Sequence, residues 1–67
     1  MPITVTVEFT LKPDGTTVDA EAIESHAGSY RPEFEKLAVA AVLATRFKRT
    51  SQTCRGRMKI VWKFADP

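Results

Sequence analysis

From Ile3 to Leu11 the chain alternates without a break. Ile3, Val5, Val7, Phe9 and Leu11 are apolar, and Thr4, Thr6, Glu8 and Thr10 stand between them. A period of two, rich in β-branched side chains, predicts a strand with one buried and one wet face, as in a one-sided antiparallel sheet. Lys12-Pro13-Asp14-Gly15 then interrupts the pattern. Proline presets φ for the first central position of a type I turn, aspartate suits the second, and glycine takes the positive φ that closes a short bulged hairpin loop. The second strand, Thr17 to Ser25, alternates Val18, Ala20 and Ala22 with Asp19 and Glu21, but Ile23 falls on the wrong parity. A bulge near Thr16-Thr17 or near Ala22 would return Ile23 to the core. The acids and small side chains of this segment suit a protected edge strand.

The period changes after the loop "SHAGSYRP". Pro32 fits the first helical position, and Glu33 and Glu35 favour the positive end of the helix dipole. Phe34, Leu37, Ala38, Ala41, Val42 and Thr45 recur at helical spacing as one buried stripe, with Val39, Ala40 and Leu43 widening the apolar surface. The helix is expected to run to about Arg46, with Arg46, Lys48 and Arg49 closing it by positive charge. "KRTSQTCRGR" reads as a polar basic loop, and Met58 to Phe64 as a third strand. In it Met58, Ile60, Trp62 and Phe64 point one way, and Lys59, Val61 and Lys63 the other.

The order is β-β-α-β. The simplest α+β topology pairs the second strand with the first through the hairpin. The helix then crosses the apolar face, so that the third strand returns on the other side of the first. This predicts a three-stranded antiparallel sheet of order 2-1-3, one helix on one face, and two strand edges.

Length and composition sharpen this picture. Sixty-seven residues form one small domain, residues 1–67, whose limited core calls for outside support. One cysteine, Cys54, excludes an internal disulfide and a cysteine-based zinc site. Oligomerisation, or attachment to a longer parent chain, is the expected support. No 18-residue apolar run or signal peptide occurs, so no membrane insertion is expected of this segment. The net charge of +2 conceals an asymmetry: seven of the eight acids lie between Glu8 and Glu35, and seven of the ten bases between Arg46 and Lys63. Such polarity can steer a nucleic acid or an acidic protein, or can simply be solvated surface.

Catalytic chemistry finds no footing in the residues. His26 lies in a polar loop, Cys54 has positive neighbours but no base in reach of its sequence context, and Glu33 and Glu35 face different ways on a helix. No catalytic residue, metal ligand or cofactor is therefore expected. What remains is surface. The outer edge of the third strand, Met58, Lys59, Ile60, Val61, Trp62, Lys63 and Phe64, offers backbone groups to an extended segment of another chain. Lys59 and Lys63 would either favour an acidic guest or merely guard the edge against aggregation. Trp62 and Phe64 share the parity of Ile60 and read as core. A second candidate is the basic set Arg46, Lys48, Arg49, Arg55, Arg57 and Lys59, suited to nucleic acid or an acidic surface.

"VTVEFTLKPDGTTVDAEAIES" followed by "FEKLAVAAVLATRFK" resembles the TonB C-terminal domain family. The match is carried by Phe9, Pro13, Asp14, Gly15, Val18, Ile23, Ser25, Phe34, Glu35, Ala38, Ala41, Val42, Arg46 and Phe47. It spans Ile3 to Lys48, with Met58 to Phe64 as a generic last strand. The chain departs from the family pattern at Thr45, usually aromatic, and at Arg49, usually proline. The resemblance implies a periplasmic, non-enzymatic domain that grips an extended "TonB box" of an outer-membrane transporter by strand addition for energy transduction. An export signal and anchor would then lie upstream. Independently of the resemblance, the exposed strand edges and small core lead us to expect a homodimer, with or without strand exchange. The alternative expectation is a stand-alone, cytoplasmic modulator or inhibitor that uses residues 46–63.

Overall fold

The structure is a computed structural model and describes residues 2–63. Its elements are β1 (Ile3–Leu11), β2 (Thr17–His26), a 3₁₀ turn (Gly28–Tyr30), α1 (Arg31–Ala44) and β3 (Cys54–Trp62). They form a three-stranded antiparallel sheet in the order β2-β1-β3 with one helix, the α+β architecture expected from the sequence.

The alternation of β1 is realised as read. Val5, Val7 and Phe9 are buried and meet Ala38 and Val42 of α1 in the core. Burying one such valine contributes roughly 1.5–3 kcal/mol, so a core of this size leaves the fold little reserve. An aromatic pair closes each end of it. Phe34 meets Trp62 edge-on at 5.0 Å between ring centres, and Phe9 stacks on Phe47 at 5.4 Å.

The hairpin closes as the turn residues dictate. Lys12 N donates to Thr16 O and Gly15 N to Lys12 O, leaving a three-residue loop with Gly15 at φ 89°. Asp14 Oδ1 accepts from both the backbone N (3.0 Å) and the hydroxyl (2.6 Å) of Thr16. Beyond the turn, β2 departs from a regular strand. Its register slips between Thr6 and Val7, where Ile23 is extra, and again between Glu8 and Thr10. Near the second slip Asp19 adopts φ 53°. The bulge expected near Ala22 exists, but Ile23 is 42% exposed rather than returned to the core. A bulged residue has no partner across the ladder, and Ala20 and Ala22 pack against the core instead.

Helix α1 starts one residue before Pro32 and ends at Ala44, not Arg46. Thr45 turns extended (ψ 135°), its N–H donates to Val42 O, and its hydroxyl donates to Ala41 O at 2.7 Å. The buried hydroxyl of Thr17 donates to the same Val42 carbonyl at 3.1 Å. These bonds engage the Ala41 and Val42 carbonyls while Thr45 leaves the helical conformation, so Arg46, Lys48 and Arg49 lie beyond the helix and do not close it. The buried stripe is narrower than its spacing suggested. Ala38 and Val42 are buried and Phe34 is partly buried, while Leu37 and Ala41 are exposed. The helix packs chiefly on β2 and β1, which leaves the helix-side face of β3 at the rim.

Candidate functional site

The third strand is longer and earlier than Met58 to Phe64. It begins at Cys54 and pairs with β1 residue for residue, from Leu11↔Cys54 to Ile3↔Trp62, with no slip. Lys63 follows the strand, and Phe64 lies outside the described residues. The stretch Cys54 to Arg57, read from composition as loop, is strand because Arg55 and Arg57 continue the period of two on the open face. Between them Gly56 sits opposite Phe9, whose ring would stand only 3.0 Å from a Cβ placed there. His26 likewise ends β2, opposite Thr4, rather than lying in a loop.

Two faces of β3 follow from this register. Met58, Ile60 and Trp62 are partly buried against the core. Arg55, Arg57, Lys59 and Val61 are exposed on the face away from α1, opposite Thr10, Glu8, Thr6 and Thr4. Arg55 donates through Nη2 to Glu8 Oε1 (2.6 Å) and through Nη1 to Thr10 Oγ1 (2.7 Å). Arg57 Nε donates to the other Glu8 oxygen at 3.1 Å. The hydrogen bond from Arg55, then that from Arg57, holds the Glu8 carboxyl below its ordinary range. Farther along, His26 and more weakly Lys59 do the same for Glu24 on β2. The open face is therefore graded, with cations along β3, threonines and Glu8 along β1, and Glu21 and Glu24 on β2.

The six basic residues do not form one surface. Arg55, Arg57 and Lys59 line the sheet. Arg46, Lys48 and Arg49 belong to a segment latched to the hairpin turn, where Phe47 N donates to Gly15 O (2.9 Å) and Thr50 N to Pro13 O (3.1 Å). Arg46 there contributes to lowering the Asp14 carboxyl, after the two bonds from Thr16. Trp62, edge-on to Phe34, has its ring engaged with the core side.

The two sheet edges differ as docking sites. β2 carries two slips, a residue with positive φ, and the acids Asp19, Glu21 and Glu24, all features that discourage a further strand. β3 is regular over nine residues, and the strand order leaves its outer side unpaired among the described residues. Reading missed Glu8, Thr10, Arg55 and Arg57 as one cluster, although the period of two running back from Val61 to Arg55 was there to be followed.

Cys54 is exposed at the start of β3, and His26 is exposed with Nε2 3.0 Å from Glu24 Oε1. Among the described residues no group of three or more His, Cys, Asp or Glu side chains is placed to hold a metal ion. No described helix is long and apolar enough to cross a membrane. In comparisons with known proteins, no family model matches the chain, and neither a curated protein nor a solved structure is detectably similar to it. The likeness to the TonB C-terminal domain family rests on the residues quoted above.

Proposed function

We propose that this chain is a non-catalytic protein-interaction domain that takes an extended segment of a partner as a fourth strand along β3. The observation that carries the reading is the unbroken nine-residue register of β3 with a free outer side. A guest strand would gain backbone hydrogen bonds at every second residue, and its side chains would alternate between two environments. One set would extend the partly covered row Met58, Ile60 and Trp62, which α1 leaves at its rim. The other set would face Arg55, Arg57 and Lys59. The favoured guest alternates apolar with acidic residues. The resemblance to the TonB family supports the same strand as the receiving edge. It would assign the domain to the periplasm and its partner to an outer-membrane transporter coupled for energy transduction.

The basic set offers a rival, a modulator that binds nucleic acid. It is less favoured because the six cations are split between β3 and the loop, and two of the arginines already answer to Glu8. Its mark would be affinity that falls steeply with salt.

The test uses the alternation of a ladder, in which one of Ile60 and Val61 directs its N–H toward β1 and the other directs it outward. Ile60→Pro and Val61→Pro are therefore a matched pair. The variant that retains its fold by circular dichroism is the outward one, and it should lose binding of an alternating Glu-Val octapeptide in an NMR titration. Replacing glutamate by lysine in that peptide should weaken binding at least roughly tenfold, as like charges then face each other. A folded proline variant with unchanged affinity would sink the β3 reading.

A further inference from the structure

The hairpin sets which way the backbone of β3 faces. Lys12 N donates to Thr16 O across the turn, so Lys12 directs its backbone groups toward β2. Successive residues of a strand direct theirs to opposite sides, and the odd-numbered residues of β1 therefore face β3. Their partners, the even-numbered residues from Cys54 to Trp62, face back. The outward N–H and C=O groups are those of Arg55, Arg57, Lys59 and Val61, whose side chains also line the open face. The three cations of this row are not equally engaged. Arg55 donates through Nη2 to Glu8 and through Nη1 to Thr10. Arg57 gives Glu8 only its Nε, and its side chain is 68% exposed against 47% for Arg55. Lys59 makes no hydrogen bond or ion pair among the described residues and acts on Glu24 through charge alone.

We infer that the guest strand, where it adds at β3 as proposed above, carries two carboxylates two residues apart, one opposite Arg57 and one opposite Lys59. No charge is called for opposite Arg55 or Val61. Residues paired across a ladder hold their side chains within reach of one another, and the period of two keeps carboxylates at i and i+2 on one face. The Lys59 ammonium and the terminal amino groups of Arg57 have donors left for them. Arg55 already meets a carboxylate and a hydroxyl, so a guest acid there competes with Glu8. Glu8 thus sets the preference, by holding Arg55 at both terminal amino groups together with Thr10 and Arg57 only at Nε. The same row turns away a second β3. Two copies of this strand meeting edge to edge would set Arg57 against Lys59, or Lys59 against itself, and like charges opposite one another destabilise a ladder. The row therefore selects an acidic strand over a copy of itself.

Two heptapeptides of one composition, with blocked termini, test it by NMR titration of the whole chain. Thr-Val-Glu-Val-Glu-Val-Thr places both carboxylates on one face of a strand, and Thr-Val-Val-Glu-Glu-Val-Thr places one on each. The first should bind at least about fivefold more tightly, since the second loses one cation and turns a charge onto the apolar row. Lys59→Gln should weaken binding of the first peptide roughly two- to fivefold. Glu8→Gln, which releases Arg57, should tighten it by a similar factor. If neither peptide binds the wild type, strand addition at β3 fails and the paired-carboxylate guest fails with it. If both bind equally, only the paired-carboxylate guest is overturned. A folded Lys59→Gln chain that binds the first peptide like the wild type overturns it as well.

Discussion

Gly15 and Asp19 both occupy left-handed backbone, at φ 89° and 53°, and the structure gives them opposite prospects. A Cβ on Gly15 would stand 2.3 Å from the Phe47 carbonyl oxygen, beside the bond that latches the post-helix segment to the turn. Gly15→Ala therefore combines a left-handed alanine, which costs about 1–2 kcal/mol, with loss of that latch. Its urea midpoint should fall by the equivalent of at least about 2 kcal/mol. Asp19 is exposed on an edge strand, and Asp19→Gly relieves its backbone. That variant should be neutral or up to about 1 kcal/mol more stable, as read from the same measurement. Only half of this was legible beforehand. Pro13-Asp14-Gly15 announces a turn because its residue types fix φ locally. The partner of that turn, Phe47, is joined by backbone atoms across a long separation, and such a bond leaves no mark on residue type.

Among the elements, β1 was readable from end to end because one wet face and one buried face imprint a strict alternation. β3 was readable only where its inward residues are large. From Met58 onward they are Met58, Ile60 and Trp62, but the preceding inward position is Gly56, and a glycine beneath Phe9 looks like loop. The end of α1 was misplaced for a different reason. Thr45 ends the helix by bonding back to Ala41, whereas the cations just after it suggested one more turn. The β1–β3 pair owes part of its hold to Glu8, clipped by Arg55 and Arg57. Its carboxyl is lowered in the fold, so its contribution is present above the unfolded value near 4.5 and is lost as pH falls through the lower folded value. Glu8→Gln should flatten the decline of the urea midpoint between about pH 5 and pH 3. An acid limb identical to that of the wild type would show that the clip does not contribute to stability. Asp14, lowered by its bonds to Thr16, should retain part of the slope in that variant.

For the whole molecule, size and exposure set the next expectation. Among the described residues five make up the buried core, and three valines are its largest fully buried side chains. The sheet has a bare face, and the helix presents leucines to solvent. Composition suggested that a chain of this length needs outside support, but it did not locate that support. An apolar helix with a buried stripe and one that is apolar all round read alike until the fold shows which side is covered. If a second copy supplies it, folding and association are linked, and stability depends on protein concentration. Raising that concentration a hundredfold adds about 1.4 kcal/mol per protomer, which for a domain of this size moves the thermal midpoint by roughly 5–10 °C. Differential scanning fluorimetry across that range should show the rise. A midpoint independent of concentration would mean that the small core suffices alone, with the apolar helix face held in water.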